Sequence, residues 1–304
     1  MNSSSHSKIV SFILLTSAMV VLLFFFMRPN EFRLRSMSTS SPSSLTSFMA
    51  PVTPKPDFRL LIGVLTVPDS YERRHLVRHA YALQSNLAGP SQIDIRFVFC
   101  NLTNEEQRVL IAMEILLYDD IIILNCTENM NDGKTYTYFS SVRHKFDENP
   151  YDYVMKTDDD AYFRLDKLGE SLRGLPREDV YYGFGTPCDK PGAQWRYMSG
   201  MGYILSWDLV EWIASSEKAR EHRVGIEDLT TGSWLREGGR GRNWFDMRPA
   251  MYDYPDGPPL CYRHELVADT IGVHKLKTNL KWARTLKYFN VTAGLKPSKL
   301  YHID

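Results

Sequence analysis

Between residues 58 and 155 the chain alternates two patterns of apolar and polar positions. Residues 58–67 (FRLLIGVLTV), 93–100 (IDIRFVFC), 120–124 (DIIIL) and 151–155 (YDYVM) are short and rich in β-branched and aromatic residues, which predicts buried strands. Between them, residues 71–86, 103–117 and 133–146 mix polar and apolar positions as helices do. Pro68-Asp69-Ser70 opens the first helix with a carboxylate near its start. Asn101 or Thr103 can cap the second, which carries Glu105 and Glu106 in its first turn. This alternation predicts parallel strands joined by crossover helices, an α/β fold with a Rossmann-like sheet. Past residue 160 the pattern loosens. Helices are expected at 166–173, 206–215 (with Ser206 as cap) and 227–236, and an edge strand at 180–185. Glycines and prolines predict loop at 197–202 and 238–259.

Upstream the pattern changes kind. Residues 9–27 are uncharged and apolar, close to the roughly 20 residues that span a bilayer. Phe24, Phe25 and Phe26 at the distal end, with no small-residue cleavage site after them, favour an uncleaved signal anchor over a signal peptide. Residues 36–56 are rich in Ser, Thr and Pro and bury too little to fold, as expected of a stem. The chain therefore divides into a cytosolic tail (1–8), an anchor (9–27), a flexible stem (28–56) and a folded domain (57–304). Arg28, Arg33 and Arg35 on the far side of the anchor outweigh Lys8 on the near side, and so argue against a lumenal carboxyl end. Three glycosylation sequons, at Asn101, Asn125 and Asn290, argue for one.

Formal net charge is zero over 304 residues, so no global field points to nucleic acid. Four scattered cysteines without a CxxC pair make a structural zinc site a poor fit. They allow one or two disulfides, whose pairing the spacing does not assign.

Candidate chemistry centres on residues 151–163 (YDYVMKTDDDAYF), where a strand runs into Asp158, Asp159 and Asp160. Ligands of open α/β sheets bind at the carboxyl ends of strands. Three adjacent carboxylates repel, and a hard divalent cation such as Mg²⁺ or Mn²⁺ relieves that repulsion; a solvated acidic turn is the plainer reading. Arg73, Arg74 and Arg78 follow the first strand. Arg74 and Arg78 share a helical face and suit a diphosphate, although charge runs are more often simply surface. Glu227-Asp228 opens a helix, where carboxylates normally serve as caps but could also supply a general base. A lone His274 after an apolar run is ordinarily structural, yet a metal held by two carboxylates has room for an imidazole. Trp195, Trp234 and Trp244 could stack on sugars, although core packing is the commoner role.

Taken in order, these segments resemble glycosyltransferase family 31, the β-1,3-galactosyltransferase-like group in its plant form, over residues 57–274. Arg73 to Tyr81 is similar to the family's RRxxIRxTW segment, with Val77 for Ile, His79-Ala80 in between and Tyr81 for Trp. Glu114 to Ile122 resembles its E…YxDII segment, Lys134-Thr135 its KT helix start, and Lys156 to Asp160 its KxDDD motif. Tyr197 to Ser206 resembles YxSGxGYxxS, and Glu227 to Gly232 resembles EDVxxG with Leu229 for Val. The resemblance implies a GT-A fold and a UDP-sugar donor, with inverting, Mn²⁺-dependent transfer of galactose in β-1,3 linkage to a glycan or glycoprotein. It also implies a Golgi membrane protein of single-pass type II with a lumenal catalytic domain. It assigns Asp160, helped by Asp158 and completed by His274, to the metal, and Asp228 to the general base. Asp159 goes to the donor ribose or sugar, and Arg73, Arg74, Arg78 and Lys134 to the nucleotide side, with Arg74 and Arg78 ranked above Arg73. The alternatives are N-acetylglucosamine transfer, or an inactive glycan-binding homologue. A phosphohydrolase is disfavoured because no Thr follows the triplet in the required order.

Overall fold

The computed structural model describes residues 55–84, 89–190 and 192–301. The anchor expected at 9–27 and the stem up to residue 54 lie outside the described residues. Among the described residues no helix is long and apolar enough to cross a membrane. In chain order the elements are β1 (Arg59–Leu65), α1 (Tyr71–Ala82), β2 (Gln92–Phe99), α2 (Glu105–Tyr118), β3 (Ile121–Ile123), α3 (Lys134–Lys145) and β4 (Tyr153–Asp158). There follow β5 (Tyr162–Phe163), α4 (Leu165–Arg173), β6 (Val180–Thr186), β7 (Tyr197–Ser206), α5 (Trp207–Ser215) and α6 (Glu217–Glu221). The chain continues through α7 (Glu227–Glu237), β8 (Asn243–Asp246), β9 (Met251–Asp253), β10 (Gly272–His274) and α8 (Asn279–Tyr288).

The main sheet has seven strands in the order β3-β2-β1-β4-β7-β6-β8, and a three-stranded sheet β5-β10-β9 lies beside it. Pairing from β3 through β4 is parallel, as expected from the alternation. Beyond β4 the sheet is mixed: β7 is antiparallel to both β4 and β6, and β8 is parallel to β6. Residues 197–202, expected as loop, are the first half of β7. Residues 238–259 contain two strands, and β6 is an interior strand rather than an edge.

Side chains of β1 alternate between two buried clusters. Leu60, Ile62 and Val64 pack with Val77, Ala80 and Tyr81 of α1, while Leu61 and Leu65 pack with Tyr138, Phe139 and Val142 of α3. The sheet is thus covered on both faces, as parallel strands require. Gly63 permits the close approach of α3, because a Cβ there would lie 2.2 Å from the Tyr138 hydroxyl. Asn104, not Asn101 or Thr103, caps α2 by accepting the Gln107 N–H at 2.8 Å. Ser206 precedes α5 but accepts the Val180 N–H instead of capping the helix. The cysteines pair as Cys100–Cys126 and Cys188–Cys261.

After β1 the chain moves outward to β2 and β3, then returns to the other side of β1 as β4. The crevice between the carboxyl ends of β1 and β4 is therefore a topological switch point, where open sheets bind ligands. Leu65 pairs with Asp158 in register there, which puts Thr66 beside Asp159.

Candidate active site

A cavity of about 490 Å³ opens at this crevice. Asp158, Asp159 and Asp160 line it together with Lys134, Lys156, Asp228 and His274. Elements distant in sequence supply these groups. The aspartates leave β4, Lys134 starts α3, Asp228 sits in the first turn of α7, and His274 ends β10.

The small sheet decides where His274 lies. β5 pairs antiparallel with β10, and the Leu276 N–H donates to the Asp160 carbonyl at 2.9 Å, which draws β10 against the triplet. The parallel register of β9 and β10 sets Asp253 opposite His274. Its Oδ1 lies 2.8 Å from His274 Nδ1, leaving Nε2 to face Asp160 at 3.2 Å and Asp158 at 3.7 Å. One atom each from Asp158, Asp160 and His274 lie within 4.8 Å of one another. Two carboxylate oxygens and one imidazole nitrogen suit Mn²⁺ or Mg²⁺. A carboxylate behind the imidazole is the usual means of orienting a ligand histidine. The residues present therefore fit a divalent cation.

The electrostatics agree. Burial works to raise Asp158, but the Lys156 ammonium and His274 outweigh it and hold the carboxyl well below its ordinary range. Burial likewise opposes ionisation of Asp160, and hydrogen bonding to His274 overcomes it. Asp159 differs: burial raises it, although it accepts a 2.5 Å bond from the Thr66 hydroxyl. Burial opposes the protonated form of His274, yet its bonds to Asp158, Asp160 and Asp253 raise it to about 10. The ring is therefore cationic beside these carboxylates, which also face Lys156 and Lys277.

Asp228 lines the same cavity and is partly exposed. Its Oδ2 accepts the Gly200 N–H at 2.9 Å and its Oδ1 accepts the Leu229 N–H at 2.8 Å. Lys134 is buried, donates to the Thr66 carbonyl at 2.6 Å and pairs with Glu128. Burial lowers its pKa against the pull of Glu128.

The arginines require a correction. Arg74 is fully buried and grips Glu114, with an Nη2–Oε1 distance of 2.6 Å, and also donates to the Val67 and Pro68 carbonyls. Arg78 joins Glu114 at 2.6 Å and Asp120 at 2.7 Å. Neither lines the cavity, because their guanidinium groups, already engaged by buried Glu114 and half-buried Asp120, fasten α1 to α2 and β3. Arg73, ranked below them, lies closer to the chemistry. It donates to the Leu276 and Lys277 carbonyls at 2.7 and 3.0 Å, clamping the segment after His274, and its charge offsets a small part of the burial that raises Asp159. Arg74→Met is expected to destabilise the fold by about 3 kcal/mol, the low end for breaking a buried pair because Arg78 remains on Glu114. Urea denaturation measures this, and an unchanged midpoint would return Arg74 to the ligand-binding set.

Several residues that bear on the site carried no assigned role in the sequence. Lys156 bridges Asp158 and Glu227, each at 2.8 Å, and Tyr203 donates to Glu227 at 2.6 Å. Asp253 lies in a stretch expected as loop. Lys156 adjoins the aspartates singled out in its motif, and Glu227 shares with Asp228 the expectation of a cap or general base, not of a partner for Lys156. The tryptophans stay outside the cavity. Trp234 is buried and donates to the His222 carbonyl, Trp195 is exposed, and Trp244 packs on Tyr181.

Residues 72–194 match the galactosyltransferase family model. The chain carries a galactosyltransferase-family domain. Beta-1,3-galactosyltransferase 6 of Mus musculus is 29% identical, over 58% of this chain and 59% of its own length. Beta-1,3-galactosyltransferase pvg3 of Schizosaccharomyces pombe (strain 972 / ATCC 24843) is 25% identical over 73% of this chain and 72% of its own. Hydroxyproline O-galactosyltransferase GALT2 of Arabidopsis thaliana is 24% identical over 66% of this chain and 33% of its own length. Matches thus span from one third to nearly three quarters of these relatives. A solved galactosyltransferase, LgtC in complex with donor and acceptor sugar analogs, aligns with a TM-score of 0.43 at 12% identity, covering 79% of this chain and 97% of that one. The galactosyltransferase-family stretch holds the aspartate triplet, while Asp228, Asp253 and His274 lie beyond the matched residues.

Proposed function

We propose that the chain transfers galactose from UDP-galactose to a hydroxyl of a glycan or glycoprotein, in β-1,3 linkage with inversion. The transfer depends on Mn²⁺, and the chain works from a Golgi membrane anchor. The observation that carries this reading is a single cavity lined both by the Asp158–Asp160–His274 cluster and by Asp228. The two galactosyltransferase relatives named first support the choice of sugar and linkage.

Asp158, Asp160 and His274 would hold a divalent cation, whose Lewis acidity would serve to neutralise a diphosphate leaving group. The remaining roles belong to the chain. Asp253 keeps the His274 ring turned with Nε2 toward the carboxylates. Lys275 and Lys277, exposed on the segment clamped by Arg73, add positive charge at the rim of the cavity. Asp159 meets the donor ribose or sugar. Asp228, steadied by two backbone N–H groups, removes the acceptor hydroxyl proton as that oxygen attacks the anomeric carbon.

The test is UDP release by the full chain with each UDP-sugar, with and without Mn²⁺. Mn²⁺-dependent turnover of UDP-galactose is expected. Turnover of UDP-N-acetylglucosamine alone would change the donor, and a folded sample that binds no UDP would overturn the reading. Within it, Asp253→Ala, which removes the oxygen facing His274 Nδ1, is expected to weaken Mn²⁺ binding about 10- to 100-fold, the usual effect of losing the partner of a ligand histidine. Titration calorimetry with Mn²⁺ checks this, and unchanged affinity would remove His274 from the ligand set.

A further inference from the structure

A second groove lies between the carboxyl half of α7 and β8. It encloses about 360 Å³, and Arg196, Arg236, Arg240 and Arg242 line it with Tyr181 and Trp244. No carboxylate is among its lining residues, in a chain whose 36 basic and 36 acidic residues otherwise balance. Asp179 and Glu237, the acids paired with its arginines, are already engaged. Asp179, itself buried, holds Arg242 Nε at 2.6 Å. Glu237 holds Lys218 at 2.6 Å and lies 3.8 Å from Arg236. Among the described residues, Arg196 and Arg240 have no carboxylate partner.

Basic residues near a helix carboxyl end are favoured by its dipole, and that accounts for Arg236 and Arg240. It does not account for Arg196, which arrives on the approach to β7 and lies 4.8 Å over the Trp244 ring. Nor does it account for Arg242, oriented from outside the helix by Asp179. Stacking on an indole and anchoring through Nε both leave guanidinium edges free to donate, the arrangement suited to bidentate binding of carboxylate or sulfate. Arg196 and Arg240 leave two guanidinium charges on the groove wall without a carboxylate, and a bound anion would offset them. Position adds to chemistry. Asp228 opens α7, and Gly232 and Leu235 of the same helix line the groove, about 6 to 10 Å farther along its axis.

We propose that this groove is a subsite for an acidic glycan chain, gripping a carboxylate or sulfate of the acceptor a short oligosaccharide's reach from Asp228. The proposal rests on the transferase reading for its link to Asp228, while binding in the groove is measured independently of it. The experiment is calorimetry on the full chain with three oligosaccharides of equal length: an oligogalacturonate, a sulfated oligosaccharide and a neutral oligogalactan. Mn²⁺-dependent UDP binding is recorded on the same samples. The acidic chains are expected to bind at least about tenfold tighter than the neutral one, as charge-assisted hydrogen bonds imply. The tighter of the two identifies the anionic group. The double variant Arg196→Gln, Arg240→Gln is expected to abolish the preference and leave UDP binding intact. Equal binding of acidic and neutral chains by the unsubstituted protein would overturn the subsite, as would an unchanged preference in the double variant. Displacement by inorganic sulfate at the same concentration as the oligosaccharide would also overturn it, since a simple anion site needs no glycan. Loss of UDP binding with the acidic preference kept would instead count against the transferase reading alone.

Discussion

Asp228→Asn is expected to lower kcat by about 10²–10⁴-fold, the usual contribution of a positioned base. Melting temperature, Mn²⁺ binding and UDP binding should stay close to those of the unsubstituted chain. Asparagine has the same shape and keeps one oxygen, so it can still accept either the Gly200 or the Leu229 N–H that Asp228 accepts now. The other N–H faces an amide nitrogen, and because the position is partly exposed, water can satisfy it. The cost to the fold is then about 1 kcal/mol, one ordinary hydrogen bond. What asparagine cannot do is take a proton. The loss should fall on kcat with KM for the donor little changed, because the group acts on the acceptor hydroxyl in the transition state. Steady-state kinetics with both substrates varied, together with a thermal melt, separate these effects. Near-native kcat would show that Asp228 is an α7 dipole partner and no more.

Much of this site is local in sequence, and those parts were legible. The strand that becomes β4 and its exit into three aspartates are contiguous, and strand–helix alternation alone puts that exit at the carboxyl edge of a sheet. The misread parts depend on contacts across long separations. Arg74 and Arg78 look free until Glu114, 40 residues from the first and 36 from the second, is brought against them by packing of α1 on α2. Glycines in residues 197–202 read as turn signals, yet in β7 they allow close approach. A Cβ on Gly202 would lie 2.6 Å from the Phe163 ring and 2.7 Å from the Met155 methyl, and one on Gly200 would lie 3.2 Å from Glu227. A glycine required for packing and one required for a turn are the same letter. Asp253 was invisible for a related reason. Its three-residue strand is too short to show a period, and only its register with β10 gives it a role behind His274.

Lys156→Met carries the largest expected effect on stability. Lys156 is fully buried, and its ammonium meets Asp158 Oδ1 at 2.8 Å, Glu227 Oε2 at 2.8 Å and the Gly200 carbonyl at 2.9 Å. A lysine has three donors, and all three are satisfied. These bonds join β4, β7 and the start of α7, the elements that hold the aspartates, Gly200 and Asp228. Methionine fills similar volume, so the cavity penalty is small and the charge decides the outcome. Glu227 would be left buried with only the Tyr203 hydroxyl as partner, a stranded charge of the kind that costs about 3–5 kcal/mol. An exposed pair would cost under about 1 kcal/mol, so the magnitude separates the two cases. The double variant Lys156→Met, Glu227→Gln supplies the sharper check. It removes the stranded charge and keeps a hydrogen-bonding partner for Tyr203, so it should be more stable than Lys156→Met alone, a non-additivity expected of groups in direct contact. Guanidinium denaturation of the unsubstituted chain, Lys156→Met, Glu227→Gln and the double variant measures it. If the double variant were as unstable as the sum of the single ones, Lys156 would be stabilising the fold through packing, and the ion pair that links the aspartates to α7 would have no part in holding the site together.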